Sequence, residues 1–202
     1  MPIIDLSFTV MGKDAIPADH GYHLYSAISR VLPELHQSND FGFHPIRGTQ
    51  IGNRRVALDQ RSRVDVRADS DRISQLLPLA GRQLNIAGAS IRVGVPQVRG
   101  LIASTALRSR LVIIKTKEAP RASDLNPDIF TGVLRRQLDG LEVSAEAIVT
   151  IGKRRTLRIK DKEVVGYEVI LEGLSADESL DIQEKGLGGR RHMGCGVFVP
   201  LR

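Results

Sequence analysis

The feature that most constrains this chain is an order of elements that it runs through twice. Residues 3–10 alternate apolar and polar side chains, the pattern of a half-buried strand. A helix start follows at Pro17-Ala18-Asp19, with Asp19 as candidate N-cap. Over residues 22–35, Leu24, Ala27, Ile28, Val31, Leu32 and Leu35 then recur at helical spacing. Residues 41–50 and 54–68 read as paired strands around a Gly52-Asn53 turn, 69–79 as a short helix capped near Asp69 and Ser70, and 84–95 as a strand. In the second half a strand contains Leu111 to Ile114. A helix begins at Asp124 or Asn126 and runs through Phe130, Val133, Leu134 and Leu138 to Gly140. Residues 142–160 and 163–171 form a hairpin about Asp161-Lys162, 175–185 a helix, and 192–200 a last strand. Strand, helix, strand, strand, helix, strand, twice over, predicts an α+β chain of two tandem ferredoxin-like (RRM-like) βαββαβ domains. Each would be an antiparallel sheet with both helices on one face. The expected domains are 1–95 and 98–202, and residues 94–100, rich in glycine, are the natural linker.

Composition narrows the chemistry. The 202 residues carry a net charge of +6, which suits a polyanionic partner without requiring one. Arginine outnumbers lysine, as bidentate phosphate contacts would favour. The single cysteine, Cys195, excludes an internal disulfide and a cysteine-based zinc site. No apolar stretch reaches the ~20 residues of a membrane span, and no signal peptide is read at the start, so the expectation is a cytoplasmic protein with no membrane role. Aromatic residues make up 4 % of the chain, with no tryptophan, so base stacking cannot be the main grip on a nucleic acid.

Two basic segments stand out. The last seventeen residues surround Arg190, Arg191 and His192 with five glycines, including Gly186, Gly188 and Gly189, between an acidic helix and the final strand. Glycine lets backbone N–H groups approach an anion, although such turns often serve geometry alone. Residues 153–162 carry six positive charges against one negative. On a strand, Arg154, Thr156, Arg158 and Lys160 share one face while Leu157 and Ile159 face the core. Together with Lys153 and Arg155 these cations suit phosphates; the bland reading is an edge strand that uses charge against aggregation.

Four of the five histidines, His20, His23, His36 and His44, fall around the first helix. Their spacing lacks any carboxylate-rich or HExxH context, so no metal site is expected. An acid–base role is the sharper alternative. His36 sits at the end of the first helix, where the helix C-terminus favours imidazolium. Tyr22 and Tyr25 lie upstream on that helix and could orient a substrate, or could simply pack.

These pieces resemble the CRISPR-associated endoribonucleases of the Cas-six family, which cut repeat transcripts into guide RNAs. The segment from Gly186 to Phe198 is similar to that family's C-terminal glycine-rich loop and closing strand. Residues 22–36 are similar to its first helix with a histidine at the end, and the doubled element order also matches. Among subgroups the chain looks closest to the myxobacterial and cyanobacterial-type branch. The resemblance implies metal-independent cleavage, with no cofactor, in which a ribose 2′-hydroxyl attacks the adjacent phosphorus. The products are a 2′,3′-cyclic phosphate and a 5′-hydroxyl. The position matching the active histidine is His36, with His20 as the alternative and Tyr25 in support. Lys153, Arg154, Arg155, Arg158, Lys160 and residues 186, 188–192 would contact RNA. The implied partners are repeat RNA, guide RNA and other subunits of an effector complex. A non-catalytic RNA-holding subunit of the same fold, and a ferredoxin-like interaction domain unrelated to RNA, are the competing readings.

Overall fold

The computed structural model describes residues 2–37 and 40–201, and of His36 and Gln37 the backbone alone. The chain divides into two compact units, Met1–Gly100 and Leu101–Arg202. The first contains β1 (Ile3–Met11), β2 (Ile16–Pro17), α1 (Gly21–Val31), β3 (Gly42–Phe43), β4 (Thr49–Gln50), β5 (Arg55–Ala57), β6 (Arg63–Asp69), α2 (Ile73–Leu76), β7 (Gln83–Ile86) and β8 (Ala89–Gly100). The second contains β9 (Ala106–Val112), α3 (Pro127–Asp139), β10 (Ile148–Ile159), β11 (Lys162–Glu172), α4 (Ala176–Lys185) and β12 (Val199–Pro200).

The sheet of the first unit runs β3-β6-β1-β8-β7, and that of the second runs β10-β11-β9-β12. All the pairings are antiparallel. Leaving β7 aside, both place the second and third sheet strands beside the first and the fourth on its other side. That is the ferredoxin-like order, built twice.

The period-2 pattern of β1 works as expected: Ile4, Leu6, Phe8 and Val10 are buried, and across the ladder Val64, Val66 and Ala68 of β6 are buried with them. In α1, Leu24, Tyr25, Ala27 and Ile28 form the buried stripe. In the second unit Phe130, Val133, Leu134 and Leu138 of α3 join Ile182 of α4 and Leu107, Val112, Tyr167, Val169 and Leu171 of the sheet in one cluster. Each fully buried side chain of this size contributes roughly 1.5–3 kcal/mol. The helix ends follow local chemistry. Asn126 caps α3 by accepting from Ile129 N–H at 2.9 Å. Ser175 and Glu178 close a reciprocal capping box on α4.

Several boundaries differ from the sequence-based expectation. Residues 94–100 are no linker but the far half of β8, paired with β1 through Gly100 opposite Ile4. Residues 84–95 hold a hairpin, β7 and β8, turned at Ala87 (φ 51°) and Gly88 (φ 91°). The first helix stops at Val31, since Pro33 cannot continue it, and a 3₁₀ turn follows at Pro33–Gln37. Asp19 does not cap that helix; His20 occupies the N-cap position. The 69–79 segment breaks into two 3₁₀ turns around the four-residue α2. The Gly52-Asn53 turn does join a hairpin, β4 with β5, but that hairpin belongs with β2 to a separate small sheet. The expected last strand is mostly irregular: a 3₁₀ turn at Arg191–Met193 precedes the two-residue β12.

Candidate nucleic-acid interface and active centre

In the first unit the structure separates the histidines. His20 is buried, with 2 % of its surface exposed. Its Nε2 accepts from Ile46 N–H at 2.8 Å, so its Nδ1 carries the proton and donates to the Pro17 carbonyl at 2.7 Å. Both ring nitrogens are engaged, and the ring is a neutral pin between the helix start and the 44–47 segment. That is a structural post, and it argues against His20 as a proton-transfer group.

His44 is also structural. Its Nε2 lies 3.3 Å from Asp5 Oδ1, and the fully buried Arg67 grips both Asp5 oxygens at 2.8 Å. Burial alone would raise the Asp5 carboxyl; the hydrogen bonds and charges of His44 and Arg67 outweigh it and hold the group well below the ordinary carboxylate range. His23 is half-buried, its ring edge-on to Tyr22 at 5.7 Å.

His36 stands in the 3₁₀ turn that follows α1, and its side chain lies outside the described residues. The flank of α1 leading toward that turn is open. A groove of about 180 Å³ is lined by Tyr22, Tyr25, Ser26, Ser29 and Arg30. Tyr25 itself is 6 % exposed and packs near Phe43, with ring centroids 6.4 Å apart. Tyr22 and Ser26 are half-buried along this stripe and Arg30 is exposed.

In the second unit the basic segment forms most of β10. Lys153, Arg154, Arg158 and Lys160 are exposed, Leu157 is buried, and Thr156 and Ile159 are half-buried. Arg154 pairs opposite Tyr167 of the core cluster, so the faces are the reverse of the expected ones, because the bulge and the register and not the alternation alone set them. A bulge after Ile151 takes up Gly152 and Lys153. Strand β9 pairs with β11 only over Tyr167–Glu172, so the far half of the hairpin, residues 156–165, extends beyond β9 as a two-stranded arm.

The glycine-rich segment does something other than offer bare N–H groups. Gly186 donates to Ile182 O, Gly188 to Gln137 Oε1, Gly189 to Ile113 O, Gly194 to Arg191 O and Gly196 to Leu111 O. Gly186, Gly188, Gly194 and Gly196 take positive φ, and the first, second and last of them also allow close approach. At Gly196 (φ +65°) an added Cβ would lie 1.9 Å from Leu187 O, and at Gly188 (φ +74°) 2.4 Å from Ile113 O. What remains for a ligand are the side chains held on this frame. Arg190 takes a left-handed conformation (φ 65°), Arg191 donates to Glu184 O at 2.6 Å, and His192 is half-buried in the short turn.

The model of the family described as Cas6 CRISPR matches residues 4–202. The chain belongs to the Cas6 (Cas-six) family. A CRISPR-associated endonuclease Cas6 of Myxococcus xanthus (strain DK1622) is 39 % identical over 200 residues, covering 99 % of this chain and 82 % of the relative. This protein is therefore a Cas6 endonuclease homologue. Among solved structures, a Cas6-related protein of Pyrococcus furiosus superposes with a TM-score of 0.72 at 15 % identity, covering 99 % of each chain. A RAMP protein binding different RNA substrates gives 0.71 at 15 % identity, with both chains fully covered. These two likenesses confirm the Cas6 fold at the level of the tandem ferredoxin-like units.

Two charged residues escaped the sequence reading. Glu168, 7 % exposed in the middle of β11, receives Arg108 of β9 on one oxygen and Arg155 of β10 on the other. The signal was present: a lone acid inside the apolar run from Val164 to Leu171 needs a partner to be buried. Among the described residues no helix is long and apolar enough to cross a membrane.

Proposed function

We propose that this protein binds CRISPR repeat RNA and cuts the precursor transcript into guide RNAs without a metal ion, remaining on its product within an effector complex. The observation that carries the reading is the 39 % identity to a CRISPR-associated endonuclease over almost the whole chain. The exposed arginines and lysines of the β10–β11 arm support RNA binding, since such cations supply most nucleic-acid affinity. In the reaction the ribose 2′-oxygen forms a bond to the adjacent phosphorus as its proton leaves to a base. The bond from phosphorus to the 5′-oxygen breaks, and that oxygen takes a proton from an acid. A 2′,3′-cyclic phosphate and a 5′-hydroxyl result.

His36 is the proton-transfer group in this reading. It stands in the 3₁₀ turn that follows α1, and the engagement of both His20 nitrogens supports it over the alternative. Tyr25, in the groove on α1, positions the ribose or phosphate.

The test is cleavage of the repeat RNA of the protein's own CRISPR array in EDTA, under single-turnover conditions. The expected products are a cyclic-phosphate fragment and a 5′-hydroxyl fragment, and a substrate with a 2′-deoxy nucleotide before the scissile phosphate should bind and stay intact. His36→Ala should lose roughly 10²–10⁴-fold in the cleavage step while retaining affinity. His20→Ala should instead lose stability, since a buried N–H left without its acceptor costs about 1–3 kcal/mol. RNA that is held but never cut would leave only the non-catalytic reading.

A further inference from the structure

In the second unit a carboxylate sits between two arginines on the sheet face that Arg155, one of the expected phosphate contacts, occupies. Arg108 Nε donates to Glu168 Oε1 at 2.6 Å, with Nη2 on the same oxygen, and Arg155 Nη2 donates to Oε2 at 3.2 Å. The three residues come from three adjacent strands, β9, β11 and β10. Space for the carboxylate is built in. Gly152, in the bulge of β10, would put a Cβ 3.1 Å from Glu168 Cγ and 3.3 Å from its Cδ.

The ion pair alone does not account for the arrangement, since an apolar residue would serve the strand as well. Nor are the arginines consumed by it. A guanidinium carries five donors, and the Arg108 side chain keeps 45 % of its surface exposed and Arg155 28 %. Two like charges this close would splay apart if left alone; one carboxylate between them holds both forks in place and leaves the trio with a net positive charge.

Building on the RNA-binding reading above, we infer that Glu168 is a positioning residue that yokes Arg108 and Arg155 into one clamp for a phosphodiester of the bound RNA. Arg108 is then an RNA contact in its own right. Bidentate guanidinium–phosphate contacts depend on the planar fork being presented at a fixed angle. Glu168 supplies that angle to both arginines at once, and Gly152 is small so that it can.

A clamp and simple electrostatics predict opposite signs for the loss of this carboxylate. Glu168→Gln removes a negative charge from between two arginines, which by charge alone should tighten the binding of RNA. The clamp requires it to weaken binding. The measurement is equilibrium affinity of the full chain for its labelled repeat RNA across a salt series, beside thermal melting. Wild type, E168Q, R108K and the R108K/E168Q pair are compared.

E168Q is expected to bind roughly three- to tenfold more weakly, and its log–log salt slope should fall by about 0.7–0.9 for each arginine that leaves its phosphate. R108K keeps the charge but loses the fork. It should weaken binding with no change in melting temperature, and the pair should be barely worse than the poorer single variant. E168Q binding as tightly as wild type, or tighter, with an unchanged slope overturns the clamp alone. Should E168Q fold poorly, R108K decides: affinity equal to wild type overturns the clamp. Wild type that binds no repeat RNA overturns the functional reading and the clamp with it.

Discussion

At the scale of single residues, the two units use buried charge differently. In the first, Asp5, Arg67 and His44 are locked together, with Arg67 only 1 % exposed. Asp5→Asn removes the carboxylate that grips that buried guanidinium with both oxygens, and the expected loss is about 3–5 kcal/mol at neutral pH. The sign of the pH dependence follows from the depressed carboxyl. The stabilisation is fully present above 3.8, the ordinary value for this group, and is lost as pH falls below it. Denaturant melts of wild type and Asp5→Asn from neutral pH down to about pH 3 should therefore show a wide gap that narrows on acidification. A gap that stayed constant would mean that Asp5 titrates normally in the fold. In the second unit the carboxylate of Glu168 is likewise held below its ordinary value. Burial opposes that shift, and the hydrogen bond and charge of Arg108, then of Arg155, outweigh it.

At the scale of elements, the glycine-rich segment gives the sharpest contrast. Gly196→Ala must relieve a contact of 1.9 Å with Leu187 O and hold alanine at φ +65°. Left-handed strain of roughly 1–2 kcal/mol adds to the displaced carbonyl, so a loss of more than about 2 kcal/mol is expected. Gly189→Ala meets no atom within 4 Å and should stay within about 0.5 kcal/mol of wild type. Thermal melts of both variants check this, and equal losses would refute the assignment of these glycines to backbone geometry. Elements whose cause is local were legible in the sequence. The helix starting at residue 175, the helix start left between Asp124 and Asn126, and the alternation of β1 each rest on residues a few positions apart. Elements decided at a distance were not. Ala87 takes a left-handed conformation that alanine seldom adopts, so the β7–β8 turn gave no signal. Gly94 and Pro96 read as breakers, yet Gly94 faces Thr9 across the ladder, where a Cβ would sit 2.0 Å from its Oγ1. Pro96 lies where β8 has outrun β7, and a sheet edge tolerates proline. His20 was illegible for the same reason: what fixes its role is Ile46, far along the chain.

At the scale of the whole molecule, cations gather on an arm. The hairpin beyond β9 carries Arg158, Lys160 and Lys162 with Arg154 at its base, and in the functional reading it lies along the RNA backbone. Replacing Arg154, Arg158 and Lys160 together by alanine should flatten the salt dependence of affinity by about 0.7–0.9 per lost contact. Stability should change little, because these side chains are exposed. An unchanged slope would place the RNA elsewhere. The strand order of the two sheets also sets a sequence of events in time. Each sheet keeps its first strand in the interior and completes the ladder only when its last strand arrives, β8 on β1 and β12 on β9. At about 5–20 residues per second on the ribosome, β8 is made about 5–20 s before β12. The first unit can therefore close its ladder while the other still waits for its final strand.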